Sequence, residues 1–189
     1  MALKPILKKI WHFIWKEDSF ASWIVNVLLA FLIVKFLVYP GLGLLLGTTF
    51  PVVAVVSGSM EHDGNFESWW SSQTSFYDQL GISKEEFQTY KFENGFNKGD
   101  LMILTGPGEI KKGDVIVFTA STKDPIIHRV VKINRDNTYQ TKGDHNTGSR
   151  EDELSIAKNR VLGKASIRIP YLGWFKLMFV QLLELFHLN

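Results

Sequence analysis

The sequence predicts a mainly β protein: a compact antiparallel β domain carried on one N-terminal transmembrane helix and followed by a C-terminal amphipathic helix. Three observations predict it. An apolar run extends from Phe20 to Tyr39, five short β-rich runs punctuate residues 51 to 169, and an apolar helical face extends from Leu172 to Leu188. A chain of 189 residues has room for one such domain plus an anchor, and too little for two domains with separate cores.

Residues 1–19 read as a cytoplasmic N-terminal segment, and residues 20–47 as the transmembrane helix with a membrane-boundary segment behind it. In FASWIVNVLLAFLIVKFLVY only Asn26 and Lys35 are strongly polar, so the run can cross a hydrocarbon core of about 30 Å as a helix. Ser19 is a candidate N-cap. Lys35 lies within about a turn of the expected end, where its stem can carry the ammonium to the headgroups. Pro40 and Gly41 are expected to stop the helix, leaving LGLLLGTTF at the membrane boundary. The segment is read as a retained anchor, not a removable signal peptide.

Charge orients it. Lys4, Lys8, Lys9 and Lys16 precede the span, whereas from Thr48 to Ser83 there is no Lys or Arg, only Glu61, Asp63, Glu67 and Asp78. The positive-inside bias then places the N-terminus in the cytoplasm and residues after Thr48 outside, a single-pass topology.

Residues 48–170 read as the extracytoplasmic β-rich domain. Its strand candidates are PVVAVVS at 51–57, LMILT at 101–105, DVIVFT at 114–119, IIHRVVKIN at 126–134 and RVLGKASIRI at 160–169. The Arg-Asp-Asn turn after Asn134 predicts a hairpin that returns antiparallel to the His128 strand and carries Asp144 toward it. Lys-Gly-Asp occurs three times, ending at Asp100, Asp114 and Asp144; the first two copies precede apolar runs as structural turns. An insertion, residues 63–98, holds Trp69, Trp70, Phe76 and Tyr77, and Ser83-Lys-Glu-Glu86 is a capping-box pattern opening a short helix to about Tyr90. Packing as a cap on the sheet is favoured over a membrane-interface or lid role.

Residues 171–189 read as the amphipathic helix, with Lys176, Gln181, Glu184 and His187 along one stripe. At about 1.5 Å per residue it is marginal as a second span, so an interfacial placement on the membrane is favoured.

The composition excludes several chemistries. There is no cysteine, hence no thiol catalysis, disulfide or thiolate zinc site. A net charge of +2 without a dense basic stripe in the globular region argues against nucleic-acid binding. Five scattered histidines without a paired ligand motif imply no metal, and no phosphate-cradling loop implies a cofactor.

Ser57-Gly58-Ser59-Met60 closes the first strand with glycine between two serines. Ser59 can attack a carbonyl if a base takes its proton, while its own amide and the Ser57 hydroxyl can donate to an oxyanion. Alone, Ser-Gly-Ser is ordinary turn material. The context is His128, a strand-borne histidine flanked by apolar residues that fix its ring. His62 and His145 are read as loop histidines.

These pieces, in order, resemble the type I signal peptidase family in its archaeal and endoplasmic-reticulum branch. VVSGSME at 55–61, KGDVIVF at 112–118, IIHRVVKI at 126–133, TKGDHN at 141–146 and VLGKA at 161–165 carry the resemblance. It implies a membrane-anchored serine endopeptidase that removes signal peptides from preproteins by acyl-enzyme chemistry, with Ser59 as nucleophile and His128 as general base where the bacterial branch has lysine. It also implies small residues before the cut, and translocon or accessory subunits as partners, in the cell membrane or reticulum membrane. The resemblance further implies that an acidic residue after the KGD motif orients the histidine; Asp152 is ranked first for this and Asp144 second. Two departures stand out: His62 replaces the usual proline after SGSME, and the following insertion is long. The rival readings are a self-cleaving repressor, which uses a lysine base and lacks a span, and a catalytically inactive membrane-bound assembly or binding module of the same fold.

Overall fold

The computed structural model describes residues 3–122 and 124–185. Contacts divide the chain into two units, residues 1–45 and 46–189.

The first unit is helical. Helix α1 (Leu3–Lys16) precedes α2 (Phe20–Ile33), which Ser19 caps by accepting the Ser22 N–H at 3.2 Å. Two polar side chains of α2 reach back to α1: the Ser22 hydroxyl donates to Phe13 O at 2.6 Å and the Asn26 amide to Ile14 O at 3.0 Å. Asn26, an outlier of the apolar run, therefore satisfies a carbonyl that the end of α1 would otherwise leave orphaned.

Pro40 does not stop the helix. The chain runs from α2 through a π-turn at Val34–Val38 into α3 (Tyr39–Leu46), giving one apolar rod from Phe20 to Leu46, 27 residues long. Proline lacks an N–H and crowds the preceding turn, and the wider π-turn just before it gives the ring a helical place. Two expectations fail with it: LGLLLG is helical up to Leu46, and Lys35 lies well inside the helix, its ammonium 5.4 Å from the Phe36 ring and 5.7 Å from the Phe31 ring.

The second unit is built on a six-stranded antiparallel sheet in the order β1-β2-β6-β3-β4-β5. The strands are β1 (Val52–Ala54), β2 (Leu101–Thr105), β3 (Val115–Phe118), β4 (Ile126–Ile133), β5 (Tyr139–Lys142) and β6 (Val161–Ile169). Each predicted run supplies a strand, with β1 the most shortened. Both faces of the sheet are covered, which is why VIVF of β3 is buried at every position. Val115 and Val117 face a cluster with Val55, Met60, Met102 and Leu104, while Ile116 and Phe118 face one with Val130, Ile156 and Val161.

The insertion holds two helices. Its sequence predicted α5 (Lys84–Gln88), capped by Ser83, but not α4 (Phe66–Gln79), capped by Asn65. Trp69, Trp70, Tyr77 and Phe87 are buried with Ile82 and Val131, so these rings pack on the sheet and none of the four is presented to a membrane. The C-terminal helix α6 (Trp174–Leu185) leaves Phe175, Met178 and Phe179 exposed. The predicted stripe member His187, with Leu188, lies outside the described residues.

Because Phe87 is fully buried and its ring lies 4.8 Å from the Arg129 guanidinium, the insertion is part of the core. Phe87→Ala is expected to cost about 3–5 kcal/mol, read as a lower urea midpoint of the detergent-solubilised chain.

Candidate active site

Ser59 sits where the chain leaves β1 and turns. Val55 anchors one side of the turn and Met60 the other, both in the core. The Ser59 carbonyl accepts the His145 N–H at 2.9 Å, and Glu61 N–H closes the turn on Gly58 O at 3.0 Å. The hydroxyl is thus held on a short loop pinned at both ends.

His128 comes from β4, opposite Ile116 of β3. Its side chain is 5% exposed, so its orientation is set by neighbours and not by solvent. Nε2 lies 3.0 Å from Ser59 Oγ, and Nδ1 contacts Glu153 Oε1. Glu153 is itself fully buried and triply held: by the imidazole, by the Thr141 hydroxyl at 2.9 Å and by the Arg150 N–H at 3.2 Å. The result is a hydroxyl, an imidazole and a carboxylate in line, the arrangement that activates a serine nucleophile.

Neither carboxylate proposed from the sequence occupies the third place. Asp152 turns outward and accepts from the Ser121 hydroxyl at 2.6 Å and the Ser121 N–H at 3.2 Å. These bonds hold its pKa below the usual value. On the one-turn 3-10 helix Glu151–Glu153, adjacent side chains point about 120° apart, so the neighbour of the outward Asp152 is the one directed inward.

Asp144 fails for a different reason. Arg129 pairs with Lys142 across β4 and β5, and Asp144, two residues beyond Lys142, lies on that same side of the sheet, away from His128. There it forms a buried ion pair with Arg129, with contacts of 2.7 and 2.9 Å. The remaining guanidinium protons go to the carbonyls of Lys91, Phe92 and Gly113. Burial would raise the Asp144 pKa, but the Arg129 charge and the hydrogen bonds from His62 and Arg129 outweigh it and bring it down to about 2. The Asp144 backbone N–H meets Met60 Sδ at 3.4 Å, a contact that braces the loop carrying Ser59.

His62 is not a free loop histidine. Its side chain is 4% exposed, stacks on Trp69 at 3.6 Å between centroids, and places Nε2 3.2 Å from Asp144. His145 does remain half exposed, 3.6 Å from Asp63. Lys142 is buried behind the same loop, donating to Gln73 Oε1 and to the carbonyls of Gly143 and Asp144; burial lowers its pKa to about 8 against the attraction of Asp144.

Gly143 lets these parts converge. A Cβ there would come within 2.7 Å of His128 Nε2, Ser59 O and Asn146 Nδ2, so any larger residue would separate the imidazole from the serine loop. Ser57 supplies a hydroxyl 3.2 Å from Ser59 Oγ, on the solvent side of the site.

Comparison with known proteins finds relatives of the chain. Homologues of the chain are catalytic subunits of the signal peptidase complex. The catalytic subunit SEC11C of Homo sapiens is 30% identical over 149 residues, covering 72% of this chain and 61% of that protein. The SEC11 subunit of Lachancea thermotolerans is 27% identical over 152 residues, covering 74% of this chain and 71% of that protein. The SEC11 subunit of Colletotrichum graminicola is 26% identical over 170 residues, with coverages of 84% and 80%. The chain thus spans about three fifths of the length of the SEC11C proteins it matches. No family model matches it.

The Asp144 carboxyl has a folded pKa of about 2 against an ordinary 3.8. A depressed carboxylate stabilises the fold fully above the ordinary value, and the contribution is lost as pH falls through 3.8 toward 2. Urea midpoints should therefore fall across that window. Asp144→Asn should lower stability at pH 6 and flatten the slope below pH 4.

Proposed function

We propose that the chain is a membrane-anchored serine endopeptidase that removes N-terminal signal peptides from preproteins. What supports the reading is one contact made in one context: Ser59 Oγ at 3.0 Å from His128 Nε2, whose other nitrogen meets buried Glu153, in a chain homologous to signal peptidase catalytic subunits.

The roles follow from proton positions. Glu153 keeps the proton on Nδ1, so Nε2 presents a lone pair to the Ser59 hydroxyl. Ser59 attacks the scissile carbonyl as Nε2 takes its proton, and the same nitrogen returns that proton to the departing amine. A water then repeats the sequence on the acyl-enzyme, its proton going to His128, and Ser59 is released. The Ser57 hydroxyl and the Ser59 N–H are the donors assigned to the oxyanion. Asp144 and Asp152 take no part in proton transfer.

Placement serves the same end. The lysines before the span and their absence just after it favour a cytoplasmic N-terminus and an extracytoplasmic peptidase domain, residues 48–170. A signal peptide presents its cleavage site where its apolar segment leaves the membrane, and an anchored enzyme meets it there at high effective concentration. Small residues before the cut are the expected preference. The exposed Phe175, Met178 and Phe179 of α6 suit a membrane surface. The relatives are named as subunits of a complex, and accessory subunits are proposed here on that ground.

The test is cleavage of a model preprotein by the purified chain in lipid. Ser59→Ala and His128→Ala should abolish processing at unchanged protein level, and normal cleavage by either refutes the assignment. Glu153→Gln should lower kcat by on the order of 10⁴, whereas Asp152→Ala should stay within a few-fold of the parent. The reverse ranking would return the orienting role to Asp152.

A further inference from the structure

We propose that α1 is a second lipid-binding element: a helix lying in the membrane interface whose basic face binds anionic phospholipid headgroups. Its sequence, LKPILKKIWHFIWK, places Lys4, Lys8, Lys9, His12 and Lys16 along one side. Ile6, Leu7, Ile10 and Ile14 recur at helical spacing along the other. No acidic residue lies within the helix. Trp11 and Trp15, with centroids 5.5 Å apart, flank the seam between the two faces, where an amphipathic ring meets both headgroup and chain.

Among the described residues of the first unit, nothing covers most of the apolar side. Ile6, Leu7, Ile10, Trp11 and Trp15 are each about half exposed or more, whereas Phe13 and Ile14, nearer the junction with α2, are partly covered. A partner for the whole helix must be hydrocarbon on one side and negatively charged on the other. That combination is the surface of a bilayer containing anionic lipid, and the helix has the composition of elements that lie in it.

Its attachment fixes the depth. The Ser22 hydroxyl and the Asn26 amide, both in the first two turns of the span, donate to Phe13 O and Ile14 O. The C-terminal end of α1 is therefore fastened at the level where the span enters hydrocarbon. A shallow concavity lined by Pro5, Lys8, Lys9, His12, Phe13 and Glu17 sets two lysines beside apolar side chains. This suits a phosphate headgroup above its acyl chains.

The test uses the full chain, which has no cysteine of its own. Single cysteines carrying a nitroxide label are introduced at Ile6, Lys8, Ile10 and His12, and the protein is reconstituted in phosphatidylcholine vesicles with or without phosphatidylglycerol. Labels at 6 and 10 should collide with oxygen and be shielded from a water-soluble nickel chelate, with the opposite pattern at 8 and 12. The contrast should sharpen with phosphatidylglycerol and weaken as salt rises. Replacing Lys4, Lys8, Lys9 and Lys16 together by Gln should bring the preference for labelled phosphatidylglycerol over phosphatidylcholine around the protein down to about one, and replacement by Arg should keep it. Equal chelate access at all four positions overturns the proposal. So does shielding of 6 and 10 from both reagents, which would mean that protein covers the face, or a lipid preference that survives the Gln substitutions. None of these readings depends on peptide cleavage.

Discussion

Side chains alternate across a strand, and on β4 that alternation separates two buried polar systems that could not share a space. His128 faces Thr141 and Glu153; Arg129, its neighbour, faces Asp144 from the other side. A slip of one residue in the pairing of β4 would exchange imidazole for guanidinium at Ser59. Register is held by what Arg129 demands. All five of its N–H groups are taken up by Asp144 and three carbonyls, and a fully buried guanidinium deprived of them would be an uncompensated charge. The ion pair on one face therefore keeps the imidazole in place on the other.

Much of the sheet was legible because β-branched runs and turn residues mark strands locally. LMILT, VIVF and IIHRVVKI fall where the residues put them, and the hairpin after Ile133 turns at Asn137, which adopts a positive φ of 61°. That Ser59 and His128 would meet was also legible, from residue types held in rigid surroundings and ordered as in a known family. The third member of the row was not. Three acids stand together at 151–153, and which of them points inward depends on the rotation of a single 3-10 turn against Thr141 and His128. Local sequence does not encode that rotation. The burial of Glu153 follows from contacts made with a strand distant in sequence.

The long helix of the insertion was hidden for a related reason. FESWWSSQTSFYDQ is rich in serine and aromatic residues, which favour neither helix propensity nor a clean apolar stripe. Tertiary contact overrides that weakness: Trp69, Trp70 and Tyr77 bury against Phe87 and Val131, and the Trp69 indole N–H donates to Asp144 O at 3.1 Å. His62, in the position where the family usually has proline, takes its place in that stack. The aromatic cap and the Arg129 ion pair thus form one continuous interior behind the loop that holds Ser59.

The uninterrupted rod from Phe20 to Leu46 measures about 40 Å at 1.5 Å per residue, roughly 10 Å more than a bilayer interior is thick. A stiff segment with that surplus must lean or protrude, and leaning deepens as the bilayer thins. Across a bilayer, the tilt of such a helix would follow the thickness. The π-turn at Val34–Val38, which carries Lys35, is where such a lean can be taken up as a bend.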